Sequence, residues 1–235
     1  MNSAARAECL AGIRAQIPIL LGVVPFGLIF GALALSAGIP LLETQALSLF
    51  VFAGSAQFIT AVLVAEGTPA FIIVLTILVV NLRHALYSAS ISPYTQHLPR
   101  RWKAILAWLL TDEAFVVASV RYRDKNSAHT HWFTFGTGLT LWAAWQVSTA
   151  AGIALGQVIP ENSLLDFALP LTFIALLVPL LIDRPTWVAA AVSGFSAVLL
   201  SGLPYKLWVL VAALLGVAAG MVAELRLTPA EEASR

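Results

Sequence analysis

Residues 17–39 read IPILLGVVPFGLIFGALALSAGI, a stretch without a single charge that carries Gly22, Pro25, Gly27, Gly31 and Gly38 inside it. A bilayer core of about 30 Å is crossed by roughly 20 apolar residues of helix. The stretch is too long for the apolar region of a signal peptide, so it reads as a retained transmembrane helix. Working outward, further apolar segments follow at Ala46–Ala65, Pro69–Ser92, a shorter Ala104–Val120, Trp132–Ile159, Leu164–Ile182, Thr186–Leu203 and Leu207–Ala223. Only 11% of the 235 residues are charged and 60% are apolar, where soluble domains carry about 25% charged residues. A net charge of +1 argues against nucleic acid, and the single Cys9 excludes a disulfide framework or a cysteine-built metal site. No metal or cofactor is expected. The short tails, Met1–Arg14 and Arg226–Arg235, predict one integral membrane domain over 1–235.

Counting positive charges exposes a conflict. Arg6 and Arg14 place the N-terminus in the cytoplasm, and Glu43 in the next loop agrees. Simple crossings then put Arg100, Arg101 and Lys103 outside but Arg121, Arg123 and Lys125 inside, although both basic groups flank one short segment. Either Ala46–Ala65 or Ala104–Val120 enters and leaves on the same side, or one of them is a broken half-helix. Irregular backbone is tolerated at membrane depth only where it is covered by protein or lines a wet cavity. The expected fold is therefore an all-α polytopic membrane protein with about six to eight transmembrane segments, some broken or re-entrant. A faint echo links Gly38-Ile-Pro40 with Val158-Ile-Pro160, each followed by a Phe-Ala pair, Phe52-Ala53 and Phe167-Ala168. Gly54 interrupts the first segment, and Pro170 with Pro179 the second. Interrupted segments in corresponding places point to a transporter site, here with repeat halves at about 15–120 and 130–225.

Charges inside apolar segments cost about 2.5–3.5 kcal/mol each on insertion scales and mark function by default. Arg83, Asp112, Glu113 and Asp166 are the candidates. Arg83 stands in Asn81-Leu-Arg-His84 in the middle of the third segment. It reads either as a substrate-binding guanidinium that balances a carboxylate, or as half of an ion pair with Asp112 or Glu113 that only staples helices. His84 is a proton candidate or a packing residue, and Asn81 a polar neighbour. Asp112 and Glu113 point about 100° apart on a helix, so one can face a cavity while the other pairs elsewhere. In Phe52-Ala-Gly-Ser-Ala-Gln-Phe58, Gly54 and Ser55 permit local unwinding, and Gln57 offers an amide; ordinary close packing is the alternative. Gly27-x-x-x-Gly31, Gly152-x-x-x-Gly156 and Gly216-x-x-x-Gly220 read as packing faces, with Gly152–Gly156 also open to a partner helix. Trp102, Trp132, Trp187 and Trp208 read as interfacial anchors, and His129 and His131 as loop residues. No zinc-protease or serine-nucleophile motif is present, so an enzyme is not expected; a purely structural membrane subunit stays open.

Five elements together resemble the AzlC-type branched-chain amino acid exporter permeases, the large subunit of the LIV-E exporters. They are Pro25-Phe-Gly-x-x-Phe-Gly31, Phe52–Phe58, Asn81-Leu-Arg-His-Ala-Leu-Tyr87, Asp112-Glu-Ala-Phe115 and Leu165-Asp-Phe-Ala-Leu-Pro170. The resemblance runs over nearly the whole chain. It implies proton-driven export of valine, leucine, isoleucine or similar apolar amino acids across the cytoplasmic membrane. It also implies a separately encoded, small hydrophobic AzlD-like partner. The site expected on this reading takes substrate on Gly54, Ser55, Gln57, Asn81, Arg83 and Asp166, and the proton on Asp112, Glu113 or His84. The alternative is a structural subunit or a permease for another small substrate.

Overall fold

The computed structural model describes residues 3–124, 129–157, 181–203 and 207–232, and every regular element among them is helical. In chain order these are α1 (Ser3–Ser36), α2 (Leu41–Ala46) running into a π-helical stretch (Leu47–Val51), α3 (Gly54–Ala65), α4 (Ala70–Thr95), α5 (Arg100–Leu109), α6 (Asp112–Asp124), α7 (Thr130–Gly156), α8 (Arg184–Leu199) and α9 (Leu207–Glu232). Among the described residues α1, α4 and the 207–226 part of α9 are long and apolar enough to cross a membrane. The expected Leu164–Ile182 segment, and with it the second half of the sequence echo, lies outside the described residues.

The chain forms two compact units, 1–65 with 80–160 and 66–79 with 161–235. In the second, α8 packs on α9 through small residues: a Cβ on Gly216 would meet the Ser193 side chain at 2.7 Å, and one on Gly220 would meet Ala189 at 3.0 Å. Helix α8 begins with Asp183, whose carboxylate accepts from the Thr186 amide at 2.9 Å while the Thr186 hydroxyl lies 3.2 Å from the Asp183 amide. That reciprocal cap satisfies donors the first turn leaves orphaned, and these bonds hold the Asp183 carboxyl below its usual range.

In the first unit α1 and α7 are the spine. Gly12 lies against Phe133, Gly27 against Ser148, Gly31 against Thr149 and Gly152 against Leu28, so the helices run parallel with backbones in close approach. Without hydrophobic drive between helices in lipid, such contact rests on small residues that permit dense packing. The predicted Gly27–Gly31 and Gly152–Gly156 faces are thus packing faces, and they pack on each other's helix. This corrects the reading of Gly152–Gly156 as an open docking face, because α1 already covers it.

Both doubtful segments are broken. Helix α2 and its π-turn end at Phe52, which takes φ 42, ψ 47, and α3 starts at Gly54. The break falls at Phe52-Ala53 rather than at Gly54-Ser55. A left-handed aromatic residue costs on the order of 1–3 kcal/mol; here Phe52 is 3% exposed and packs on the Trp108 ring. The second break lies between α5 and α6, where the Thr111 amide donates to the Leu109 carbonyl in an inverse γ-turn centred on Leu110 (φ −87, ψ 81).

Contacts along the spine show where each broken segment goes. Trp102 at the start of α5 packs on Trp132 and Phe135, near the start of α7, while Trp108 reaches Trp142. Helix α6 then returns, since Tyr122 near its end receives a hydrogen bond from Thr134, and Arg121 sits over Phe133. Both ends of the α5–α6 segment therefore lie level with the start of α7. The α2–α3 segment mirrors this from the opposite end. Gln45 and Ser48 meet Gln146 and Thr149 on the way in, and Phe58 packs against Phe26 and Phe30 on the way out. Each broken segment thus turns back toward the end of the unit from which it starts. Their breaks touch: the Trp108 indole donates to the Phe50 carbonyl at 3.3 Å.

Candidate functional site at the meeting of two broken helices

Thr111 opens α6. Its hydroxyl lies 3.4 Å from the Ala114 amide, an N-cap contact, and donates to the Glu113 carboxylate at 2.9 Å. Asp112 and Glu113 consequently occupy the first turn of α6, where the helix dipole favours negative charge, rather than the middle of a continuous helix. Ser55 holds the equivalent place in the first turn of α3. Arg83 of α4 joins the two half-helix starts, donating to Asp112 Oδ2 at 2.7 Å and to Ser55 Oγ at 2.7 Å. The side chains of Arg83 and Asp112 are 25% and 39% exposed, so this hub is paired yet open on one side. At about 20 Å from the start of α4 by helical rise, Arg83 is beyond snorkelling reach, which is why it must find a partner inside the protein.

Helix N-termini present unpaired N–H groups and positive partial charge, a natural seat for an anion. Two of them meet here beside a guanidinium and one carboxylate. The arrangement can hold a carboxylate and an ammonium together.

The expected residues divide. Ser55, Arg83 and Asp112 come together, with Glu113 one residue on. Gln57 does not join them: it is fully buried, accepting from the Trp145 indole at 3.1 Å and donating to Ser48 at 2.9 Å. Ser48 in turn shares a hydrogen bond with Thr149 at 2.8 Å, and Gln146 donates to the Ser48 carbonyl at 2.9 Å. This network fastens the π-helical turn to α7 and satisfies backbone that lipid could not. Gly54 faces the Trp145 ring, where a Cβ would stand 3.2 Å from Cη2. Asn81 keeps a buried side-chain oxygen without a partner among the described residues. His84 contacts the Asn81 carbonyl at 3.3 Å and the Tyr87 ring. Asp166 lies outside the described residues. His131 belongs to the first turn of α7, against Trp102, and not to a loop.

Two features had no sequence signal strong enough to find them. Arg121 and Glu8 form a bidentate pair at 2.6 and 3.1 Å, clamping the start of α1 to the end of α6. Gln16, eight residues further along α1, is fully buried with neither amide atom bonded among the described residues. The two helices run in opposite directions, so eight residues from the clamp, about 12 Å on each, bring Gln16 and Glu113 to one level.

Residues 18–159 match the family described as AzlC protein. The chain is 28% identical to the inner membrane protein YgaZ of Escherichia coli, over 73% of this chain and 72% of that protein. It is 35% identical to a membrane protein of Archaeoglobus fulgidus, over 78% and 80%. It is 29% identical to the branched-chain amino acid transport protein AzlC of Bacillus subtilis, over 69% and 63%. No solved structure matches the chain.

Proposed function

The chain belongs to the AzlC family, and from that premise we propose that it is the large subunit of a secondary transporter exporting branched-chain or similar apolar amino acids across the cytoplasmic membrane. AzlC is a family of transport-related membrane proteins, not an enzyme class. The observation that carries the reading is Arg83 bridging Ser55 and Asp112 at the starts of two half-helices. A zwitterionic apolar substrate needs one cationic and one anionic partner plus apolar surroundings. Arg83 with the two helix N-termini takes the carboxylate, Asp112 the ammonium, and the Phe52–Trp108 contact at the breaks supplies apolar walls. The name of the Bacillus relative, a branched-chain amino acid transport protein, supports the substrate class.

Export is proton-coupled on this reading, with Glu113 carrying the proton beside Thr111 and at the level of Gln16, and His84 a further proton group. Asp166 and a small hydrophobic AzlD-like partner complete the expected assembly. The basic residues of α1, α5 and α6 gather at one end of the first unit, which supports a cytoplasmic N-terminus. In proteoliposomes, Asp112→Asn and Glu113→Gln should lose uphill accumulation of leucine while Glu113→Gln retains exchange. Variants that both still concentrate leucine against a gradient would dispose of the coupling role.

A further inference from the structure

The hub does not use a cavity of about 190 Å³ between the last turns of α4, α5 and the start of α7. Ile91, Leu106 and Leu110 give it apolar walls, Ser88 and Thr134 add hydroxyls, and Lys103 lines it at the start of α5. Lys103 Nζ donates to the Gln96 carbonyl at 2.9 Å, leaving two of its three N–H donors for a ligand. On α4, Arg83, Tyr87, Ile91 and Thr95 follow at four-residue intervals and so share one face. The first belongs to the hub and the last two line the cavity. Between them Tyr87 stacks on Phe115 of α6 at 4.6 Å and packs on the Ile91–Leu110–Ala118–Tyr122 cluster. One aromatic layer therefore separates the cavity from the ion pair.

The end of the unit that holds this cavity also carries Arg6, Arg14, Arg100, Arg101, Arg121 and Arg123. The α2–α3 segment enters from the other end with Glu43. With both broken segments returning to their own sides, the basic groups that conflict under simple crossings fall on one side, which is then cytoplasmic.

We propose that this cavity is the cytoplasmic vestibule of the transport path, a first subsite for an apolar amino acid, closed from the hub by the Tyr87–Phe115 stack. Lys103 meets the carboxylate, the hydroxyls meet the ammonium, and the apolar walls take the side chain. The proposal rests on the transport reading for its ligand but not for its sidedness.

The test places Ser88→Cys or Ser92→Cys in a Cys9→Ala background and applies a charged methanethiosulfonate reagent to inside-out vesicles and to intact cells. Modification is expected from the cytoplasmic side alone, slowed at least threefold by millimolar leucine. Ala107→Phe, which fills the cavity, should cut leucine transport at least tenfold at unchanged membrane abundance. Modification from outside, no modification at either position, or full transport by Ala107→Phe would each overturn the vestibule. Cytoplasmic modification without protection, in a protein that transports leucine, would overturn the subsite and leave the transport reading standing. Neither protection nor leucine transport would overturn both.

Discussion

Removing the Arg83 guanidinium separates a working site from a helix staple. Breaking a buried ion pair by deleting one partner costs about 3–5 kcal/mol, since a charge is left uncompensated; exposed pairs are worth about 0–1 kcal/mol. The Arg83 and Asp112 side chains are 25% and 39% exposed, so screening places Arg83→Gln between these limits, at about 2 kcal/mol. For a chain of this size that is a drop of about 4–8 °C in Tm. The double variant Arg83→Gln/Asp112→Asn leaves no lone charge, keeps hydrogen-bonding groups at both places, and should recover most of that loss. Thermal unfolding and leucine counterflow are measured on the same purified proteins. If the pair binds substrate, the double variant regains Tm but transports at background. A double variant that regains both stability and transport would refute the site and leave the pair a structural staple.

Gly54→Leu pushes side-chain atoms into the Trp145 ring, which a Cβ alone already approaches to 3.2 Å, and strains the Trp145–Gln57 bond. It should lower Tm and folded yield, and by more than Gly54→Ala, whose Cβ asks the ring to give by only a few tenths of an ångström; equal Tm for the two would contradict the packing described. Gly152→Ala drives a Cβ into the Leu28 carbonyl of α1, while Gly22 has open space around it. Overpacking should cost about 1–3 kcal/mol at the first position and within about 0.5 kcal/mol at the second, compared by thermal unfolding. The Asp183 cap depends on an ionised carboxyl with a lowered pKa. Its contribution should be complete above the ordinary carboxylate range and fade as pH falls through the lowered value, read as amide-exchange protection in the first turn of α8. Asp183→Asn should flatten that pH profile.

Hydropathy is a local property, so the order of apolar residues was enough to settle the membrane class, most helix positions and the isolation of Arg83 at mid-helix. The basic residues on both flanks of Ala104–Val120 announced an irregular segment for the same reason: charge placement is read residue by residue. Where the chain actually breaks was decided elsewhere. Phe52 is left-handed under cover of Trp108, which also takes the Phe50 carbonyl, and the π-turn before it is held by Gln57, Gln146 and Thr149. None of these partners is close in sequence except Gln57, whose amide looked free for substrate until Trp145 and Ser48 claimed it. The choice of Asp112 over Glu113 for Arg83 is likewise tertiary. It goes with the direction in which α6 leaves Thr111, a helix whose far end is held by the Glu8–Arg121 clamp. A charge must be paired inside a membrane, and that much one dimension foretells; which charge pairs it depends on helices that fold back from opposite ends, and only their packing brings Ser55 and Asp112 each within a hydrogen bond of Arg83.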